Sequence, residues 1–484
     1  MRFIAVYLNQ YRFKKSCNNF TLPLSVVSKD HPLKRLQEIK IILTLGFPIA
    51  IAQIAQTSMG FVDTLMAGRY SATDLAAVAL GSSIWLPIFI ASQGILMATT
   101  PMVAYLVGAN KEKASSETLH QGVIIVVILS LLAIFALHNC DPILAFMGVE
   151  EELARLTTQY LAAISWGFPA LLLYQLIRSY IEGFGKTQPA MKISILGLLC
   201  NIPLNYALIY GEFGFPELGG VGCGWATAIV MWIMFFSALI YLTKSPTFVA
   251  IQPFSNWSLP EPSALKNFLK LGLPIGVALL IEVSMFSVIA LLLADLGEVM
   301  IASHQITISF TGLIFMLPLS ISLALTIRVG HQLGAQKPEA AKFSAVTGLI
   351  ITLTLAIFSS SLMALFATPI AELYTQELQI IEIASTLIII AALFQFSDAI
   401  QITCSGALRG YKDTVVPLML VFIAYWLIGL PSGYILGKTE LITAAMGPKG
   451  FWIGLLIGLT IGAILLISRL HWKSNQLLSQ AQHR

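Results

Sequence analysis

Long apolar segments constrain this chain more than any other feature of its sequence. A helix that crosses the hydrocarbon core of a bilayer needs about 20 predominantly apolar residues. Lipid offers no partner to an unpaired backbone group, and the alternating pattern of barrel strands is absent, so the spanning segments are predicted to be helices. We predict twelve spans, near residues 41–66, 75–106, 121–138, 156–180, 188–210, 220–243, 267–293, 299–327, 344–366, 379–407, 414–436 and 450–470.

The composition agrees with this assignment. The 484 residues are 57% hydrophobic and 11% charged, with a mean hydropathy of +0.82. Soluble domains carry about 25% charged residues, so this supply cannot cover a water-exposed surface. The chain is therefore predicted to be an all-α integral membrane protein that is surrounded by lipids and has no nucleic-acid partner.

The distribution of Lys and Arg among the loops predicts the orientation. Alternate loops at 109–117, 178–192, 243–270, 328–342 and 409–413 together hold 13 Lys and Arg residues, whereas the intervening loops hold four. Most of the remaining basic residues lie in the two terminal tails, on the same side as the rich loops. By the positive-inside rule, both termini and the rich loops are predicted to be cytoplasmic.

An internal repeat divides the spans into two sets of six. A shift of 226 positions places "LGFPI" (45–49) on "LGLPI" (271–275) and "GANK" (108–111) on "GAQK" (334–337). Because six is an even number, both halves have the same orientation, and a pseudo-two-fold axis runs along the membrane normal. Two lobes around a central cleft are the architecture of an alternating-access transporter.

The repeat predicts the domain boundaries. They are a basic N-terminal tail (1–38), an N-lobe with helices 1–6 (39–243), a cytoplasmic linker (244–266), a C-lobe with helices 7–12 (267–471) and a C-terminal tail (472–484).

Three of the 24 acidic residues lie well inside predicted spans: Asp63, Glu282 and Asp398. None has a Lys or Arg within one helical turn, and the basic residues are all assigned to loops, tails or span ends, so no buried ion pair with a mid-membrane base is expected. A carboxylate at the centre of a membrane costs about 2.5–3.5 kcal/mol even on lenient insertion scales. Such a group takes up a proton or holds a cation, which is what a cation-coupled transporter needs. A hydrogen-bonded contact between helices is the structural alternative.

Neighbouring side chains suggest what surrounds these acids. Asn201 and Asn205 are four residues apart and share one helical face, where their amides can donate to a carboxylate or offer oxygens to Na⁺. Phe394 lies one turn before Asp398, and Met285 and Phe286 lie one turn after Glu282. Aromatic and thioether groups suit flat hydrophobic cations, so these three residues are candidates for the substrate cavity. Simple helix packing is the alternative interpretation for both groups.

Signatures of catalysis are absent from the sequence. It contains no GxxxxGK[ST] phosphate loop, no GxSxG and no HExxH, and its seven His residues are dispersed. We therefore predict a protein that is not an enzyme and needs no cofactor beyond a coupling ion. An intramembrane enzyme is a distant alternative.

Several stretches resemble the MATE family of multidrug exporters, and specifically its bacterial NorM branch. The resemblance covers nearly the whole chain beyond the N-terminal tail. It is carried by "QTSMGFVDTLMAG" (56–68), "NIPLNYALIYGEFG" (201–214), "PELGGVGCGWATAIV" (216–230), "FMLPLSISLALTIRVGHQLG" (315–334) and "DAIQITCSGALRGYKD" (398–413).

The resemblance implies a two-lobed antiporter of the MATE/MOP type in a bacterial inner membrane. It would export cationic drugs and dyes in exchange for Na⁺ or H⁺, and one chain would suffice as a monomer. Glu282 and Asp398 match the family's C-lobe cation site, which would hold Na⁺ if the coupling ion is Na⁺. In the N-lobe, Asp63 matches an acid that works with polar residues corresponding to Asn201, Asn205 and Thr227.

One position departs from the pattern of the family. Relatives can carry a Tyr where this chain has Phe394, so a hydroxyl that could bind Na⁺ is missing here. The choice between Na⁺ and H⁺ therefore stays open.

A flippase for lipid-linked oligosaccharides is the alternative transporter of related architecture. Such proteins line their cavity with cationic residues that hold pyrophosphate. The spans of this chain offer acids, which favours a cationic cargo.

Overall fold

The computed structural model describes residues 32–255, 261–442 and 444–482. Within these ranges the chain folds into helices, and no β-strand occurs there. Most of the predicted N-terminal tail, residues 1–31, lies outside the described residues, and the first helix begins at Pro32. The predicted linker contains a short helix, Pro246–Ile251, and the next span begins at Pro262.

The first six spans form the N-lobe. Their bounds are Pro32–Tyr70 (span 1), Ala72–Leu96 continued by Thr99–Gly108 (span 2), Ser115–His138 (span 3), Glu151–Ser165 continued by Phe168–Gly183 (span 4), Gln188–Tyr210 (span 5) and Gly220–Lys244 (span 6).

The other six spans form the C-lobe. Their bounds are Pro262–Leu293 (span 7), Glu298–Gly334 (span 8), Pro338–Leu365 (span 9), Leu378–Gly410 (span 10), Val415–Phe422 continued through a π-helical stretch, Ile423–Gly429, into Leu430–Lys438 (span 11), and Pro448–Gln482 (span 12).

The number of spans agrees with the sequence. Among the described residues, eleven helices are long and apolar enough to cross a membrane, and span 4, bent by 44° at its break, brings the number to twelve. Each lobe has its own cluster of buried apolar side chains. The predicted all-helical membrane fold is confirmed.

The two lobes touch through glycines that the internal repeat relates. A Cβ atom at Gly108 would lie 2.1 Å from the carbonyl oxygen of His331, and one at Gly334 would lie 2.0 Å from the carbonyl oxygen of Tyr105. No side chain larger than hydrogen fits at either distance. In one contact the glycine belongs to the N-lobe and the carbonyl to the C-lobe, and in the other the reverse holds. This is expected for a pseudo-two-fold axis between the lobes.

These contacts lie at one end of the bundle, which we call the basic end because the five loops rich in Lys and Arg are found there. At the same end, Glu38 of span 1 accepts hydrogen bonds from Nε and Nη2 of Arg328, both at 2.7 Å, and from Oγ of Ser344 at 2.6 Å. Arg328 and Ser344 belong to the C-lobe, so this ion pair joins the lobes.

The glycines nearer the other end have different surroundings. Positions 60 on span 1 and 312 on span 8 face open space, with no atom within 4 Å of a Cβ placed there. The contacts of Gly108, Gly334 and Glu38 therefore join the lobes at the basic end, and positions 60 and 312 take no part in a close contact.

Candidate functional site

The acid of the N-lobe lies in a complete hydrogen-bonded pocket. Asp63 is 7% exposed. Its Oδ1 accepts from Nδ2 of Asn201 at 2.9 Å and from Nδ2 of Asn205 at 2.7 Å, and its Oδ2 accepts from Oγ1 of Thr227 at 2.9 Å. Spans 1, 5 and 6 thus bring together four residues that the sequence analysis grouped.

The helical spacing explains this arrangement. Asn201 and Asn205 lie one turn apart on span 5, which continues as a helix through Pro203. Their side-chain oxygens are buried and have no hydrogen-bond partner among the described residues. The pocket therefore offers carboxylate and amide oxygens together, a donor set that suits a hard cation.

The C-lobe brings two acids together with much less hydrogen bonding. Glu282 of span 7 accepts from Nε2 of Gln401 at 3.3 Å, and the same nitrogen donates to the Tyr425 hydroxyl at 2.9 Å. Asp398 is 6% exposed, the charge of Glu282 acts on it, and no hydrogen bond reaches its carboxylate from the described part of the chain.

Gln401 and Tyr425 were not identified from the sequence. Gln401 follows Asp398 by three residues on span 10, so helical spacing could have indicated it. Tyr425 belongs to the π-helical stretch of span 11, which widens that helix beside the acids. Such stretches are frequent at functional sites, but no pattern in this sequence announces one.

A base is buried near the C-lobe acids, which the assignment of Arg409 to a loop did not predict. Arg409 lies inside span 10 rather than in the following loop and is 7% exposed. It lines a small cavity of about 40 Å³ together with Glu282 and Asp413, and its charge acts on Glu282. Its Nη2 donates to Oγ of Ser322 at 3.3 Å.

A second base is buried near the end of a span. Arg178 lies inside span 4, where its Nε is 2.7 Å from Oε1 of Glu182, and both side chains are buried. Its Nη2 donates to Oε1 of Gln53 on span 1 at 2.9 Å. The loop boundary drawn at 409 had placed Arg409 outside its helix, whereas Arg178 lay where the predicted span 156–180 and the predicted loop 178–192 overlap.

The three predicted residues of the substrate cavity differ in their surroundings. Met285 is fully buried and Phe394 is 5% exposed, both within the C-lobe core, where the Phe394 ring lies edge-on to Trp452 at 5.9 Å between centroids. These two are packing side chains in this structure. Phe286 is partly buried. That these three residues line a substrate cavity stays a prediction.

The chain matches a family model described as MatE over residues 48–207 and 274–435, which are corresponding parts of the two lobes. It is 47% identical to the multidrug resistance protein MdtK of Proteus mirabilis, over 92% of this chain and 97% of that protein. It is also 47% identical to the multidrug resistance protein PmpM of Pseudomonas aeruginosa, over 96% of each.

Solved structures share the fold. The outward-facing conformation of a multidrug resistance MATE family transporter of the MOP superfamily superposes with a TM-score of 0.83 at 22% sequence identity. The superposition covers 96% of this chain and all of that one.

Proposed function

This chain belongs to the MATE family of multidrug efflux transporters, and we propose that it exports organic cations in exchange for H⁺ or Na⁺ bound at Glu282 and Asp398. Like its relatives, it is a multi-pass membrane transporter and not an enzyme. The assignment of the coupling ion to the C-lobe acids is the part that calls for an experiment.

The observation that carries the proposal is the imbalance of charge at the C-lobe pair. Glu282 and Asp398 share a site in which a single amide at 3.3 Å donates to one of them. The charge of Arg409 acts on Glu282 and not on Asp398, and two neighbouring carboxylates repel each other, so ionisation of both is unfavourable without a further cation. A proton or Na⁺ relieves the repulsion, and the unpartnered side-chain oxygen of Gln401 adds a further oxygen ligand for Na⁺.

Exchange follows from competition for that negative charge. A cationic drug is attracted when the pair has lost its proton or Na⁺, and it is released when the ion returns. Each ligand lowers the affinity of the other by the same factor, because coupling between two ligands is reciprocal. An inward ion gradient then drives the cargo outward.

The two lobes supply the movement. Their contacts lie at the basic end, which we assign to the cytoplasm by the positive-inside rule, with both termini on that side of a bacterial inner membrane. The site is then closed toward the cytoplasm in this structure. Rocking of the lobes about the cleft would break the contacts of Gly108, Gly334 and Glu38 and open the cytoplasmic side.

The N-lobe acid has a different part in this scheme. Asp63 keeps three hydrogen bonds that stabilise its charged form, and it lies beside two unpartnered amide oxygens. We assign it the role of attracting cationic cargo into the N-lobe. One chain carries both sites, so a monomer suffices for transport.

The test measures efflux of ethidium, a fluorescent cation, from proteoliposomes with either a Na⁺ gradient or a pH gradient imposed. Wild type is compared with Asp398→Asn. Glu382→Gln is the matched control, because Glu382 is an exposed acid on the same span. Efflux driven by one gradient, lost in Asp398→Asn and kept in the control, supports the proposal and identifies the ion.

Two results would refute it. The absence of efflux under both gradients would contradict ion-coupled export and favour the flippase alternative. Efflux by Asp398→Asn at the wild-type rate would remove the C-lobe pair from the coupling step.

A further inference from the structure

A second cavity opens at the basic end of the N-lobe, far along the chain from the acids of the C-lobe. Its volume is about 780 Å³. It lies between the first half of span 1, the loop that joins spans 4 and 5 with the start of span 5, and the end of span 6. None of the residues that exchange ions in the proposed mechanism lines it.

The lining of this cavity has one sign of charge. Lys186, Lys192 and Lys244 contribute three ammonium groups, and no Asp or Glu is among the described residues that line it. Nζ of Lys186 donates to Oγ1 of Thr247 at 2.5 Å. Within the described ranges none of the three lysines takes part in an ion pair, so their charges are available to an anion.

Polar and apolar groups share the rest of the wall. Thr44, Gln188 and Ser237 supply hydrogen-bonding side chains. Span 5 begins at Gln188 with no side chain capping its first turn, so its free N–H groups lie at the same wall. Ile193 and Ile240 form the apolar part.

We propose that this cavity binds the phosphate of an anionic phospholipid headgroup. Phosphate recognition follows from three lysines, hydroxyl groups and a helix start without an opposing carboxylate. The lipid as the source of that phosphate follows from the position of the cavity at the ends of three membrane spans and from its apolar wall. Basic pockets between membrane helices on the cytoplasmic side bind such headgroups.

A headgroup bound in this cavity would lie next to a contact between the lobes. The last residue of span 4, where the loop to span 5 begins, touches the C-lobe, because Nε2 of His331 lies 2.8 Å from the carbonyl oxygen of Gly183. Gly185 of the loop between spans 4 and 5 lines the cavity, and a Cβ there would lie 3.4 Å from the His331 ring. A headgroup held by Lys186 and its neighbours therefore steadies the loop that helps to close the basic end.

The experiment measures lipid binding to the full-length protein in detergent by microscale thermophoresis. The probes are dioctanoyl phosphatidylglycerol, dioctanoyl phosphatidylcholine and inorganic phosphate. The triple variant K186Q/K192Q/K244Q removes the charges of the cavity. The matched control K111Q/K113Q/K337Q removes three exposed lysines of the same end that do not line it.

We expect phosphatidylglycerol to bind the cavity variant at least about tenfold more weakly than wild type and to bind the control variant as wild type does. Phosphatidylcholine and inorganic phosphate should bind weakly to all three proteins. The single variant K192Q changes an exposed residue, and its affinity for phosphatidylglycerol should fall about threefold. It replaces the triple variant in the test if the triple variant does not fold.

Three results would overturn the inference. They are equal binding of phosphatidylglycerol by wild type and cavity variant, an equal loss in both triple variants, and inorganic phosphate that binds as tightly as the lipid with the same dependence on the lysines. The last result would make free phosphate the ligand. The binding assay involves no ion gradient, so its outcome is separate from that of the transport experiment.

Discussion

The acids of the two lobes differ in how their charge is compensated, although the lobes descend from one repeated pattern. Asp63 receives three hydrogen bonds of 2.7–2.9 Å from two amides and a hydroxyl. Glu282 and Asp398 together receive one, at 3.3 Å, from Gln401 among the described residues. One lobe thus satisfies a single charge, and the other brings two charges together and satisfies neither well.

The difference separates two roles. Hydrogen bonds donated to a carboxylate favour its charged form, so a negative charge on Asp63 is better compensated than one on either C-lobe acid. A close pair of acids with few donors must take up a proton or a cation to be stable inside a membrane. We therefore expect ion exchange at the C-lobe pair and cation attraction at Asp63.

Neutralising the acids gives the largest expected effect. Asp398→Asn should lower gradient-driven ethidium efflux by on the order of 100-fold, because the coupling between ion and cargo is lost. Asp63→Asn should lower the rate by about tenfold and keep its dependence on the gradient. Proteoliposome rates under both gradients measure this, and a reversed order of the two variants would contradict the assignment of roles.

Removing one hydrogen-bond donor from the N-lobe pocket should leave Asp63 less well compensated, as the acids of the C-lobe are. Thr227→Val deletes the bond to Oδ2 of Asp63 and keeps the shape of the side chain. A hydrogen bond to a charged group is worth about 1.5–3 kcal/mol, and Thr227 is only half-buried, so we expect about 1.5 kcal/mol less stability to unfolding. The melting temperature in detergent measures it. Thr227→Ser, which keeps the hydroxyl, should match wild type, and an unchanged melting temperature for Thr227→Val would show that the bond contributes little.

Weakening the contact between the lobes at the basic end should change how the N-lobe and the C-lobe are arranged. The variants above change the acid site of one lobe only. Glu38→Gln weakens the ion pair with Arg328, whose side chain is 22% exposed. A partly screened pair of this kind contributes about 1 kcal/mol, so the population open at the basic end should rise about fivefold. Spin labels at Lys111 and Lys337, which the repeat relates, report the distance between the lobes. Glu117→Gln removes an exposed acid as the control. Identical distance distributions in the two variants would show that the Glu38–Arg328 ion pair does not hold the lobes together.

Adding a hydroxyl to the C-lobe should give the smallest effect. Phe394→Tyr places an oxygen one turn before Asp398 and should strengthen the Na⁺ dependence of efflux by about two- to fivefold. Phe394→Leu offers no oxygen and separates this effect from the packing against Trp452. Equal Na⁺ dependence in Tyr and Leu variants would mean that position 394 does not reach the ion.

The sequence by itself determined the membrane class, the twelve spans, the repeat and the identity of the three buried acids. These follow from properties that are linear along the chain: the length of an apolar segment, the absence of alternatives to helix in lipid, and the cost of an isolated charge there. Spacing of four residues also sufficed to place Asn201 and Asn205 on one face.

The tertiary structure alone decided which side chains meet. Spans that are apolar on most faces carry no periodic signal of their inner side, so the sequence could not show that Met285 and Phe394 pack into the core while Gln401 and Tyr425 reach Glu282. The burial of Arg409 and the glycine contacts between the lobes likewise depend on how helices rotate and approach one another. Those are properties of pairs of helices, and a single sequence records each helix separately.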